Sequence, residues 1–255
     1  MSTSPLAADL ACALDPVRLA RRMGLEPDPW QARVLRSAKA QVILNCSRQV
    51  GKSTVTGALA SHTALYAPGA PILLLSPTER QSVELLRKVK GTLAALGTET
   101  AEVAVDNALS LEFATGSRIL ALPGKEGTIR GFSGVRLLII DEASRVPDAL
   151  YQAVRPMLAV SGGRLVLLST PFGKRGFFHH EWTEGGDDWE RVEITAEQCP
   201  RIAPAWLAKE RAAIGDWWFE QEYLCQFKDT TDQVFGYEEV MGALSPDVPL
   251  LFPLA

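Results

Sequence analysis

Two short stretches of this 255-residue sequence combine residue types that could handle phosphate. The first is Cys46-Ser47-Arg48-Gln49-Val50-Gly51-Lys52-Ser53, which matches the spacing G-x-x-x-x-G-K-[ST] except at its first position, where Cys46 stands for glycine. Such a loop, set between a buried strand and a helix, turns several backbone N–H groups toward one point, and the helix end adds partial positive charge. Gly51 lets the backbone approach a phosphate, Lys52 reaches the β- and γ-phosphates, and Ser53 supplies a hydroxyl to Mg2+. Nucleotide contacts are therefore expected from Ser47, Arg48, Gln49, Val50, Gly51, Lys52, Ser53 and Thr54. Arg48 is an extra cation that could touch the γ-phosphate in cis; its alternative is a solvent-facing side chain.

The second stretch is Leu137-Leu138-Ile139-Ile140-Asp141-Glu142, which puts two carboxylates at the carboxyl end of an apolar strand, where open α/β sheets bind their ligands. Asp141 would hold Mg2+ through its water shell and Glu142 would polarise an attacking water. Two acids that merely cap a turn are the alternative, hard to sustain with a phosphate loop about ninety residues upstream. Weaker candidates surround these. Ser169-Thr170-Pro171 ends the next apolar strand, where small hydroxyls could sense a γ-phosphate and couple the change outward. Trp30 and Gln31 precede the first strand and could flank a base, glutamine offering a donor and an acceptor to adenine. Arg130, in a glycine-rich loop, could reach a neighbouring subunit's γ-phosphate, although a plain loop arginine is the better reading from the residues alone. Lys174-Arg175 and Arg87-Lys88-Lys90 are small basic clusters, usually solvated faces. His62, His179 and His180 lack metal spacing and receive no catalytic role.

The elements that must position these residues follow from periodicity. Gln41–Asn45 reads as a strand into the loop, with a helix from Thr54 to Tyr66 behind it. Pro71–Ser76 is a second strand, Glu79–Leu96 a second helix, and Thr100–Leu122 contains hairpin strands around Gly116. Val135–Asp141 and Arg164–Thr170 are buried strands with a helix, Pro147–Leu158, between them. Apolar strands separated by helices predict a parallel sheet covered on both faces. Residues 1–40 read as helical, Leu10, Leu14, Val17, Ala20 and Met23 recurring at helical spacing, and Ala205–Ile214 and Trp217–Phe227 as two late helices. The tail after Gly242 carries no clear pattern.

Composition narrows the class. A 47% hydrophobic fraction with 22% charged residues predicts a packed globular core. No apolar run approaches the roughly 18 residues of a membrane span, and the N-terminus has no basic signal region, so a cytoplasmic protein is expected. Four scattered cysteines without C-x-x-C spacing predict reduced thiols. The net charge of −4 argues against a protein coated for nucleic acid, while leaving room for a local basic patch.

Taken together the motifs resemble the ATPase domain of the large terminase subunit of tailed bacteriophages. Five pieces in order carry the match: Pro29–Gln31, Ser47–Ser53, the apolar run into Asp141–Ser144, Ser169–Phe178 (STPFGKRGFF) and Gln221–Phe227 (QEYLCQF). The resemblance implies an α/β P-loop NTPase fold, a three-layer sandwich around a mainly parallel sheet with a small C-terminal helical lid. It divides the chain into an ATPase core (1–199), a lid (200–235) and a linker (236–255) toward a nuclease domain. It implies ATP and Mg2+ as cofactors, with Lys52 and Ser53 on phosphate and metal, Asp141 on the metal, Glu142 as catalytic carboxylate, Gln31 on adenine and Ser169–Pro171 as coupling motif. For Arg130 it implies an arginine finger acting in trans within a ring of five subunits, and for Arg48 a cis contact or a nucleotide-sensing switch. Its partners would be double-stranded DNA, other copies of the chain, the portal protein and the small terminase subunit, in the host cytoplasm at the procapsid portal. The clustered aspartates of the family's ribonuclease-H-like nuclease are missing from these residues, so no DNA cleavage is expected of them. A superfamily 2 helicase half shares the same motifs but needs a second lobe, and a nucleotide-gated assembly module would have little use for Glu142.

Overall fold

The computed structural model describes residues 4–97, 102–122, 131–229 and 237–244. The N-terminal segment is helical as its periodicity predicts, in three pieces: α1 (Pro5–Leu14), α2 (Pro16–Arg22) and α3 (Pro29–Arg36). Pro16 keeps Asp15 extended, and the Asp15 carboxylate caps α2 by accepting from the Val17 N–H at 3.0 Å. That break splits the apolar stripe. Val17, Ala20 and Met23 are buried, whereas Leu10 and Leu14, expected on the same face, are 58% and 78% exposed.

The described strands are β1 (Gln41–Cys46), β2 (Pro71–Leu75), β3 (Val103–Asp106), β4 (Ser110–Phe113), β5 (Arg118–Leu122), β6 (Leu137–Asp141), β7 (Arg164–Ser169) and β8 (Trp189–Ile194). They form one sheet in the order β3-β4-β5-β2-β6-β7-β1-β8. From β5 to β8 every pairing is parallel, while β4 runs antiparallel between β3 and β5. The remaining helices are α4 (Lys52–Tyr66), α5 (Glu79–Ala94), α6 (Asp148–Val154), α7 (Gly176–Thr183), α8 (Pro204–Ile214), α9 (Asp216–Glu222) and α10 (Tyr237–Ala243).

Alternation along the strands builds two cores. On β2, Ile72 and Leu74 pack with Val55 and Leu59 of α4 and Leu85 and Val89 of α5. Leu73 and Leu75 face the other way, into Leu150 and Val154 of α6 and Phe177 and Phe178 of α7. Successive side chains of a strand point to opposite faces, so a strand buried on both sides must be apolar throughout. The result is the expected three-layer α/β sandwich with a mainly parallel sheet.

Four local expectations need correction. The helix expected over Pro147–Leu158 is split: α6 ends at Val154 and a 3-10 turn, Arg155–Leu158, follows, because Pro156 has no N–H to continue the ladder. The helix expected to reach Phe227 stops at Glu222, and Cys225 sits at φ +59, which turns the chain back to the sheet. Strand β8 and helix α7 carry no strong periodic signal and were not anticipated. Helix α10 lies in the stretch read as linker.

The chain leaves the sheet after β8, forms α8 and α9, and returns at Cys225. Leu207, Phe219 and Tyr223 pack with Ala196 in a small core of their own. The way out and the way back are pinned together: the Ala196 N–H donates to the Tyr223 carbonyl at 2.8 Å. The Ile194 carbonyl accepts both the Ser47 N–H, at 2.9 Å, and the Cys225 thiol, at 3.3 Å.

Candidate functional site

Strands β1 and β6 are separated by β7 alone, and register places Asp141 level with Leu168 and Leu168 level with Leu44. The loop after β1 and the carboxylates after β6 therefore open on the same edge of the sheet, two strand spacings or roughly 9.5 Å apart. This is the juxtaposition the two motifs require.

The loop from Cys46 to Lys52 is a tight concave turn. Gln49 and Gly51 both have positive φ, +63 and +96, the left-handed backbone found in anion-binding turns. At Gly51 the positive φ strains any other residue, and a Cβ there, 2.7 Å from Gln31 Nε2, would push the Gln31 amide aside. Ser47 and Val50 are fully buried, and Thr54 donates its N–H to the Gly51 carbonyl at 3.1 Å. Cys46, in place of glycine, is buried, and loss of water pushes its thiol up to about 12. Lys52 Nζ donates to the Cys46 carbonyl at 3.3 Å and lies 3.9 Å from Glu142 Oε1, so one ammonium bridges both motifs.

Glu142 sits at φ +51, a strained conformation for a residue with a Cβ. Its N–H donates to Asp141 Oδ1 at 3.0 Å. Burial, then the adjacent Glu142 charge, pushes the Asp141 carboxyl up to about 6, with Lys52 and Lys88 pulling the other way. Ser53 Oγ accepts from Lys88 Nζ at 2.9 Å. A hydroxyl and a carboxylate are the hard oxygen donors Mg2+ prefers, and this corner already accommodates a cation, the Lys88 ammonium.

Ser169 and Thr170 are buried at the end of β7, with Pro171 behind them. They are tied to the acidic turn by Ser144, whose Oγ lies 2.7 Å from Ser169 Oγ and donates to the Thr170 carbonyl at 2.8 Å. Gln31 is 4% exposed and works as a strut: Oε1 accepts from the Asp28 N–H at 2.8 Å and Nε2 donates to the Gly51 carbonyl at 3.3 Å. Trp30 is half-buried against the core. Arg130 lies outside the described residues. The three members of the basic cluster on α5 each have a partner: Arg87 on Glu84, Lys88 on Ser53, Lys90 on Asp106.

Arg48 reaches outward from the loop to helix α9. Its Nε donates to Glu222 Oε2 of α9 at 2.6 Å, and its backbone N–H reaches the Glu222 carbonyl at 3.4 Å. A carboxylate as enclosed as Glu222 needs a charged partner; Arg48 supplies it from the loop, and Arg145, in the acidic turn, adds a second at 3.6 Å. Helix α9 is also joined to the loop after β7, where the Gly173 N–H donates to Gln221 Oε1 at 3.4 Å. Behind the loop, Arg201 pairs with Asp28 at 2.8 Å and donates to the Val50 carbonyl at 3.1 Å. Asn45 Nδ2 holds the Cys225 carbonyl at 2.8 Å. Sequence reasoning gave no role to Glu222, Gln221, Arg145, Ser144, Arg201 or Asn45; Gln221, Glu222 and Ser144 stood in quoted motifs, but nothing local marks the rest.

Among the described residues no group of three or more His, Cys, Asp and Glu could hold a metal ion, and no helix is long and apolar enough to cross a membrane.

Comparison with known proteins bears on most of the chain. The terminase large subunit of Thermus phage G20c is 24% identical over 248 residues, covering 84% of this chain and 51% of that protein; the terminase large subunit of Thermus virus P23-45 matches to the same extent. The chain thus spans about half the length of these curated relatives. The large terminase ATPase domain of Thermus phage P74-26 superposes with a TM-score of 0.71 at 22% identity, over 82% of this chain and 96% of that one. A large terminase from a thermophilic bacteriophage, solved in complex with ADP, gives 0.66 at 16% identity over 78% of this chain and 53% of that one. These structural likenesses establish a shared fold. The family model described as terminase large subunit, T4likevirus-type, N-terminal, matches residues 43–240, and the chain belongs to that family.

Proposed function

We propose that this chain is the Mg2+-dependent ATPase motor of a large terminase, driving double-stranded DNA into a procapsid. One observation carries the reading: a single ammonium, Lys52 Nζ, bridges the phosphate loop and the acidic turn, 3.3 Å from the Cys46 carbonyl and 3.9 Å from Glu142. An incoming γ-phosphate competes for Lys52 and releases Glu142. The freed carboxylate accepts a proton from the water that attacks the γ-phosphorus, and ADP leaves. Ser53 and Asp141 would hold Mg2+, which supplies charge neutralisation across the β- and γ-phosphates. Gln31, Trp30 and the loop from Ser47 to Thr54 position the nucleotide.

Coupling follows the contacts outward. Ser144 links the acidic turn to Ser169, Thr170 and Pro171, and Arg48 links the loop to Glu222 of the lid helix α9. A phosphate that draws Arg48 inward takes it from Glu222 and loosens the lid, the switch role suggested for this residue. Arg130 completes a neighbour's site in trans within a ring of five copies. The portal protein and the small terminase subunit complete the machine, which works in the host cytoplasm at the procapsid portal. No strand cleavage is assigned to these residues.

The test is hydrolysis by wild type, Glu142→Gln and Arg130→Ala across a wide range of protein concentration. Glu142→Gln should lower phosphate release by about a hundredfold or more while nucleotide binding persists; retained turnover would remove Glu142 as the base. Wild-type rate per subunit should rise with concentration, with Arg130→Ala staying flat. A constant rate in both would describe a self-contained ATPase instead.

A further inference from the structure

Lys88 lies near the middle of α5, outside both motifs, yet its ammonium donates to Ser53 Oγ at 2.9 Å and its charge acts on the Asp141 carboxylate. Lysine side chains on a helix lean toward its N-terminus, and the N-terminus of α5 follows directly on β2, at the edge of the sheet where the site opens. Its neighbours Arg87 and Lys90 are paired with Glu84 and Asp106, away from the site. Of the three, Lys88 is the one that turns inward.

The charges at this corner explain why a cation is wanted there. Asp141 and Glu142 are consecutive carboxylates at the end of a buried strand. Lys52 stands beside Glu142, at 3.9 Å, and Lys88 acts on Asp141. One ammonium beside Glu142 and another on Ser53 thus stand at the corner of the two carboxylates before any nucleotide arrives. Ser53 Oγ is the oxygen that a divalent ion would use, and it now accepts from Lys88. An ammonium and a dication at one oxygen repel each other strongly.

We propose that Lys88 is the resident counter-cation of the metal corner: it holds Ser53 while no divalent cation is bound, and it must withdraw for the ion to bind. The inference rests on the nucleotide-site reading above. It sets an order of events. A bare dication meets an already neutral corner and gains little. An ion arriving with the nucleotide brings phosphate charge, which engages Lys52 and makes displacement of Lys88 favourable. Metal is then taken up with nucleotide rather than ahead of it.

The experiment is binding of the fluorescent nucleotide mant-ADP to the full chain across EDTA-buffered Mg2+ concentrations, for wild type, Lys88→Met and Lys88→Arg. Lys88 is an exposed residue, so neither variant should disturb the core, and circular dichroism melts check this. Lys88→Met should lower the Mg2+ concentration for half-maximal binding by about threefold to tenfold, the effect of one partly screened charge. Lys88→Arg, which keeps the charge, should stay near wild type. Affinity in EDTA alone should be unchanged in both. An unchanged or raised Mg2+ requirement in Lys88→Met overturns the proposal. So does a loss of affinity in EDTA with the Mg2+ dependence unmoved, which would assign Lys88 to the phosphates. Wild type that binds no mant-ADP at any Mg2+ concentration refutes the nucleotide site itself, and the role of Lys88 with it.

Discussion

Asp141 is a carboxylate kept at a cost to the fold. Burial and the neighbouring Glu142 raise its carboxyl from 3.8 to about 6, so the folded chain holds that proton more tightly than the unfolded one. Its contribution to stability is complete below the unfolded pKa, about 4, and is lost as pH rises through about 6. Asp141→Asn should therefore raise the melting temperature of the nucleotide-free chain at about pH 8 by a few degrees, and the gain should shrink near pH 4. An equal gain at both pH values would disconnect it from ionisation. The thiols give a second expectation. All four cysteines are buried, Cys46 is pushed up to about 12, and Cys225 is raised still further by burial. Iodoacetamide near neutral pH should leave the folded chain unlabelled and modify every cysteine once the chain is denatured; mass spectrometry that finds one fast-reacting thiol in the folded state would contradict the burial. Residue chemistry of this kind was legible wherever it is local. Gly51, Lys52, Ser53, Asp141 and Glu142 sit where the motifs predict because their spacing within one turn fixes what they can reach. The partner of Arg48 was not legible, since Glu222 is 174 residues away.

Helix α9 shows what contacts, rather than periodicity, can make of seven residues. Through Glu222 it meets the phosphate loop and the turn after β6, and through Gln221 the loop after β7. Glu222→Ala should leave Arg48 and Arg145 without their shared carboxylate and cost about 1–3 kcal/mol. Hydrogen exchange should then quicken in α9 and in the loop from Cys46 to Lys52 together, while β2 and β6 keep wild-type protection. Faster exchange confined to α9 would mean the two elements are not coupled through this carboxylate. The parallel strands were readable because each is an apolar run buried on both faces. Strand β8 was not, for it lies at the sheet edge and mixes Glu190, Arg191 and Glu193 among its apolar residues. The helix expected to run to Phe227 was misjudged for a related reason: the positive φ at Cys225 belongs to a turn fixed by Asn45, far away in sequence.

The molecule carries a net charge of −4, and its basic cluster on α5 is engaged with its own side chains. Binding of duplex DNA by the single chain should be weak and should fall steeply between about 50 and 200 mM salt; fluorescence anisotropy with a labelled duplex measures it, and tight, salt-insensitive binding would place the DNA contacts on this chain alone. The layered architecture followed from the order of apolar and amphipathic segments, but the path of the chain after β8 did not. That path leaves the sheet at Ile194 and comes back at Cys225, with Ala196 bonded to Tyr223 at its neck. A loop closed at its own base makes no demand on the length of what it encloses, because closure entropy grows only with the logarithm of that length. Away from Arg201, Gln221 and Glu222, which hold the loops at the sheet edge, the stretch between Ile194 and Cys225 can therefore be lengthened or shortened over generations with every strand still in register. Such changes would act on the contacts that Glu222 and Arg201 make with the loop from Cys46 to Lys52, so this stretch can carry variation while the sheet beneath it is inherited intact.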